Sequence, residues 1–309
     1  MPQQSLINWL LEGDVAIQFQ VNRDLLDDDR HDLKKRIVQE GWGAQLLAAQ
    51  RENGHWGHGF YQPKWTSTHY TLLLLRNLCI EPALPQIQKA VNLVADTEKG
   101  ADGGVNPSRS LACSDVCVSG MFLNYACYFH IAEDKLTSIV DFLLSQRVQD
   151  GGFNCDSTRR EVRHSSLHST LSVIEGIAEY RKNGYTYRLN ELTQAERSSR
   201  EFILIHRLYL SDRTGKVIKA SFLKFPFPPH WYYDILRALD YLQDVNAPWD
   251  ERMQPAIEVL LKKRTKESTW KQYAQHPGDA HFAMEKAGKP GRWNTLRALR
   301  VMKHFGVEM

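Results

Sequence analysis

Cys155 stands beside Asp156, nine residues before His164 and thirteen before His168. A thiol with an imidazole base is a nucleophile in waiting if the fold brings the two together. The competing reading is a small buried filler. His164 and His168 are four apart, the spacing that puts two imidazoles on one helical turn and lets them share a metal. No Glu stands between them in the metalloprotease pattern. Cys113 and Cys117 are also four apart, but no second pair follows at zinc-finger spacing. Asp234 is a carboxylate at the start of an apolar stretch. Burial there raises its pKa and suits it to general-acid work, unless Arg237 or Arg292 pairs with it. Glu175, in the middle of another apolar stretch, invites the same argument.

These residues sit on a repeat. Asn53-Gly54-His55-Trp56 recurs as Asp102-Gly103-Gly104-Val105 and as Asp150-Gly151-Gly152-Phe153, 49 and then 48 residues later. Each loop leads through a polar stretch into a helix-like segment with a Thr, Ser or Gly near its start. In this alignment His69 matches His168, Thr71 matches Thr170, and Asp234 falls where those threonines fall. The later copies degenerate to Asp212-Arg213-Thr214-Gly215 and Glu267-Ser268-Thr269-Trp270. A period of about 50 residues is that of stacked helical hairpins, because one hairpin cannot bury its own apolar face.

Hydrophobic periodicity sorts the helices into two sets. Short apolar helices are predicted over 14–27, 67–79, 114–129, 165–180, 231–243 and 292–304. Amphipathic helices with a charged face are predicted over 33–50, 85–97, 134–147, 190–209 and 250–265. Strand signals are nearly absent. The expected fold is all-α: an (α/α)6 toroid of two concentric helix layers, a single domain over 1–309, with the apolar set inside. The aromatic residues Trp65, Trp231 and Trp293, with His69, His164 and Arg292, fall at loops leading into the inner helices and are expected around the central cavity.

Composition narrows the class. The 309 residues carry a formal net charge of +3, with basic residues spread along the chain, which argues against nucleic-acid binding. No apolar run approaches the length of a transmembrane helix. The start Met1-Pro2-Gln3-Gln4 has no secretory pattern, and five cysteines make no disulfide framework, so a reducing cytoplasm is expected.

Gln149-Asp150-Gly151-Gly152-Phe153, with a weaker copy at Gln50 to Gly57, resembles the repeat of squalene and oxidosqualene cyclases and of protein prenyltransferase β subunits. The resemblance covers roughly residues 34–304. It implies a toroid whose cavity receives isoprenoid chains. The Asp-x-Asp-Asp acid motif of the cyclases is absent, and Asp27-Asp28-Asp29 reads as a charged turn. The prenyltransferases hold zinc through Asp-x-Cys at the start of one inner helix and a His at the start of the next. Asp115-Val116-Cys117 and His168, 51 residues apart, match that pattern. The resemblance therefore implies a zinc ion on Asp115, Cys117 and His168 with an open fourth position for a substrate thiol. It also implies a partner subunit, and diphosphate-binding candidates at Arg163, Lys219 and Arg292.

The leading expectation is an enzyme that handles an isoprenoid or comparably apolar small molecule. Asp115, His168 and Asp234 are its catalytic candidates, with Asp234 the acid of a cyclase or isomerase. The alternatives are a catalytically inactive toroid acting as a binding or scaffold module, and an (α/α)6 carbohydrate-active enzyme, for which Asp115, Asp156 and Asp234 are the available carboxylates.

Overall fold

A computed structural model describes residues 3–108 and 110–308; Met1, Pro2, Arg109 and Met309 lie outside it. The described residues are mostly helical, with one two-stranded antiparallel sheet among them in which Trp270 pairs with Gly291 and Lys271 with Pro290. The helices are α1 (Gln3–Leu11), α2 (Val15–Leu25), α3 (His31–Arg36), α4 (Gly41–Ala48), α5 (Thr68–Asn77), α6 (Pro85–Thr97), α7 (Val116–Tyr128), α8 (Thr137–Ser145), α9 (Leu167–Lys182), α10 (Leu189–Ile205), α11 (Ile235–Asp244), α12 (Gln254–Lys262) and α13 (Arg292–Phe305). None is long and apolar enough to cross a membrane among the described residues.

The apolar set corresponds to α2, α5, α7, α9, α11 and α13. On α7 and α9 nearly every residue is buried. The amphipathic set bears one buried stripe. On α6 the stripe is Ile87, Ala90, Val91 and Val94, and Pro85 opens the helix where a missing N–H costs nothing. The helix expected over 33–50 is two helices, α3 and α4. Gly41, which opens α4, has φ +66, a left-handed conformation that a continuous right-handed helix does not pass through. The carboxylate of Asp14 fills the space a side chain there would need, capping α2 at Ala16 N (2.9 Å) and accepting from Trp42 N (2.7 Å). The segment expected to run to 209 stops at Ile205, ahead of left-handed Arg207 and Leu208.

The repeat has a physical basis in one hydrogen bond. The residue after each loop donates its N–H to a hydroxyl on the following apolar helix: Trp56 to Thr68 (3.0 Å), Val105 to Ser119 (2.9 Å), Phe153 to Thr170 (3.0 Å) and Trp270 to Thr295 (3.0 Å). The loop glycines Gly54, Gly103 and Gly151 have φ of +87, +86 and +101. At α5 the bond and the helix start give two different registers. By hydrogen bond Thr68 takes the part of Thr170, while by place on the helix the expected match holds: Thr71 and Thr170 each stand four residues after the N-cap serines Ser67 and Ser166, and His69 and His168 two residues after them. Asp234 precedes α11 as its N-cap, the place Asp115 takes on α7.

The apolar helices contact one another in turn. α5 packs on α7, α7 on α9, α11 on α13, and α13 on α2. Gln20 Nε2 on α2 donates to Asn77 O at the end of α5 (3.0 Å), and Arg237 on α11 pairs with Glu175 on α9 (2.6 Å). α7 and α9 approach closely where Gly120 faces Val173 and Gly176 faces the Gly120 carbonyl. One hydrophobic cluster runs from Leu6 to Met302.

Candidate functional site

The six apolar helices together line a cavity of about 360 Å³. Each contributes side chains three or four residues apart, the period of one helical face: Gln20 and Arg23 from α2, Leu73 and Arg76 from α5, Asn124 and Tyr128 from α7, Glu175 and Glu179 from α9, Arg237 and Asp240 from α11, Trp293, Arg297 and Arg300 from α13. Phe227, Pro229 and His230 line it from the loop before α11.

The wall is charged. Among the described residues seven basic and four acidic side chains line it, a surplus of three positive charges. The charges pair between helices. Arg76 pairs with Glu179, and Arg237 holds Glu175 with two bonds of 2.9 and 2.6 Å. Asp240 accepts from Arg300 (2.5 Å) and Arg297 (3.1 Å), and Arg300 also reaches Asp24 (3.2 Å). Burial opposes ionisation of Asp240 and Glu179, yet the adjacent guanidinium groups hold both carboxyls below their ordinary values. Not every polar atom is satisfied. Arg297 Nη1 and Arg76 Nε are buried without a partner.

Among the expected cavity residues, Trp293 lines this space. The others lie elsewhere. Trp65 stacks on His230 at 4.1 Å, donates to Pro277 O (2.7 Å) and lines a separate small pocket. His69 is fully buried among Phe60, Tyr61, Tyr70 and Tyr125, and burial lowers its pKa to about 3. His164 is exposed at the surface. Trp231 stacks on Tyr232 at 3.9 Å. Arg292 lies over Trp9 and donates to its carbonyl (2.8 Å).

A second group forms where α7 begins. Asp115, Cys117 and Cys155 place one carboxylate oxygen and two sulfurs within 4.8 Å of one another. Asp115 Oδ1 caps α7 at Cys117 N (3.0 Å) and Val118 N (3.1 Å) and also accepts from Cys117 Sγ (2.9 Å) and Cys155 Sγ (3.3 Å). Cys155 Sγ accepts from Cys117 N (3.2 Å) and from Ser169 Oγ (3.1 Å). The hydrogen bond with Cys155 and then burial push the Cys117 thiol well above its ordinary pKa.

His168 is not in this group. Its Nδ1 accepts from Tyr233 N (2.8 Å), and its ring sits among Phe222, Trp231, Tyr232 and Tyr233. Burial, then the positive charge of Lys219 and Arg237, lowers its pKa to about 4. Cys155 thus takes the place expected for His168, and its own partners are Asp115 and Cys117, not His164 or His168.

Asp234 is 2% exposed. Its Oδ1 accepts from Arg237 N (2.8 Å), while Oδ2 is buried without a partner. Burial raises its pKa to about 6, against the pull of Arg297 and Arg237. The expected side-chain pairing with Arg237 does not form, because that guanidinium goes to Glu175.

Arg76, Asp240, Arg297 and Arg300 line the cavity but are not among the site residues expected from the sequence. The signal in the sequence is charge at helical spacing on helices otherwise apolar, as at Glu175. No family model matches this chain, and no curated protein matches it.

Proposed function

We propose that α2, α5, α7, α9, α11 and α13 close into a ring, the inner layer of an α/α toroid, and that the space inside binds a small polar molecule carrying an anionic group. Each of the six helices turning one face to a common cavity supports the ring. The observation that carries the ligand class is the basic surplus of the lining, with buried guanidinium nitrogens lacking partners at Arg76 and Arg297. Arginine donors match carboxylate and phosphate oxygens. A hydrocarbon chain would displace water from these groups and return no hydrogen bond, at a cost of roughly 1–3 kcal/mol per stranded donor. A volume of about 360 Å³ suits a small ligand. This reading departs from the apolar isoprenoid expected from the repeat. The test is calorimetric titration with sulfate, phosphate and citrate beside glycerol and geraniol at fixed ionic strength. Binding of anions alone supports the reading; binding of geraniol with no anion binding overturns it in favour of the isoprenoid.

The two-thiol cluster favours a second function beside this one: a zinc ion held by Asp115, Cys117 and Cys155. Two thiolates and a carboxylate leave a fourth position open, as a catalytic zinc requires. Loading would release the thiol protons, and so would tighten as pH rises. Elemental mass spectrometry of wild type, Cys117→Ala, Cys155→Ala and His168→Ala tests it. About one zinc per chain, lost with either cysteine and kept without His168, supports this donor set. Loss with His168→Ala instead restores the Asp115, Cys117 and His168 set. No zinc after metal addition removes the site.

A further inference from the structure

We propose that Arg297 is the residue that takes the anion in the cavity, and that Asp234 competes with the anion for it. The proposal rests on the anion-binding reading of the cavity and adds to it a residue and a regulation.

Arg297 lines the cavity from α13 and is 4% exposed. Its Nε is committed to Asp240 (3.1 Å), but Nη1 is buried with no partner. A guanidinium N–H stranded this way is costly to keep and ready to donate. The second orphan is Asp234 Oδ2, at the start of the neighbouring helix α11. Among side-chain charges, Arg297 pulls hardest on Asp234. The open donor on α13 and the open acceptor at the start of α11 thus belong to two helices packed against each other. An ionised Asp234 draws Nη1 toward itself; a protonated one releases it to a ligand.

The other groups near Asp234 do not supply the switch. Arg237, on its own helix, stays charged and is held by Glu175 from α9. The hydroxyl of the adjacent Tyr233 is held protonated by burial. Of the histidines lining the cavity, His230 has its pKa lowered to about 3 by burial and stays neutral above pH 5, while His130 lies at the same cavity. With Asp234 titrating at about 6, about one molecule in eleven is competent at pH 7 and nearly all are at pH 5, so the apparent affinity falls about tenfold between them.

The experiment is calorimetric titration with sulfate, whose charge is constant over this range, at pH 5, 6 and 7 and fixed ionic strength. Wild type weakens about tenfold from pH 5 to pH 7. Asp234→Asn keeps the helix cap, since Asn caps as well as Asp, and binds with the pH 5 affinity throughout. Arg297→Lys keeps one charge for Asp240 but has no second nitrogen for the ligand, and weakens binding at every pH; circular dichroism checks its fold. The proposal is overturned if Asp234→Asn retains the pH dependence, or if Arg297→Lys binds as wild type does. Absence of sulfate binding by wild type at every pH, with citrate and phosphate also silent, overturns the cavity reading itself.

Discussion

Replacing Gly176 with alanine puts the α7–α9 crossing to a test in which two known effects oppose each other. In an open helix the change stabilises by about 1 kcal/mol, because alanine restricts the unfolded chain. Here a Cβ would stand 2.4 Å from the Gly120 carbonyl oxygen and 3.3 Å from Leu123 Cβ. The nearest atom is backbone, so no side chain can swing away. The two helices must part by about 1 Å along a contact in which nearly every residue is buried. Overpacking of that kind costs about 1–3 kcal/mol. Taking the upper end, because the obstacle is rigid, and subtracting the propensity gain leaves a net loss of about 2 kcal/mol. Urea unfolding followed by circular dichroism reads this as a midpoint lower by roughly 0.7–1 M, for a slope of about 2–3 kcal/mol per M that does not itself change. Gly120→Ala, whose Cβ would meet Val173 Cα at 2.7 Å, shifts the same way. A Gly176→Ala protein as stable as wild type, or more so, refutes the close crossing. It would also unsettle the placement of neighbouring Glu175, which meets Arg237 across the cavity wall.

Three further outcomes are expected. His69 is buried neutral with its pKa near 3, while the unfolded chain takes up its proton at the ordinary value near 6.5, so its contribution is complete above pH 6.5 and is lost as pH falls. Between pH 7 and pH 5 this removes about 2 kcal/mol; His69→Gln should shrink the wild-type stability difference by about that amount, and an unchanged difference assigns the acid sensitivity to other groups. Thr170→Val deletes the acceptor for the buried Phe153 N–H at the same volume and should cost about 1–3 kcal/mol in urea unfolding; Thr68→Val should do the same at Trp56 if the hydroxyl bond is the common element of the repeat. Glu179→Ala leaves Arg76 without its carboxylate. Because Glu179 is 4% exposed and Arg76 25%, the loss should be on the order of 3 kcal/mol. A loss under about 1 kcal/mol would place the pair among screened surface contacts.

The helices were legible because their cause is local. Apolar residues every three or four positions mark α6 from Pro85 to Thr97 with no error at either end, and the Gly loops announce α7 and α9. The break between α3 and α4 was not legible, because it depends on Asp14 filling the space beside a left-handed Gly41 from 27 residues away. The hydroxyl that serves the repeat's hydrogen bond at α5 was not legible for a related reason. The choice between Thr68 and Thr71 is made by which hydroxyl reaches the Trp56 N–H, and spacing alone does not say.

By itself the sequence determined a helical chain of about 50-residue repeats, the two kinds of helix, and the presence of Asp115 and Cys117 where one of them begins. Each of these follows from contacts within a turn or a loop. Tertiary structure decided what the apolar helices turn toward one another. A helix reads as apolar when three of its four sides are, and the fourth side of α5, α9, α11 and α13 carries the charges that pair across the cavity. It likewise decided that Cys155, 38 residues from Cys117, joins that cluster while His168 turns to Tyr233. Distance between repeats is set by how helices pack, and no spacing along the chain records it.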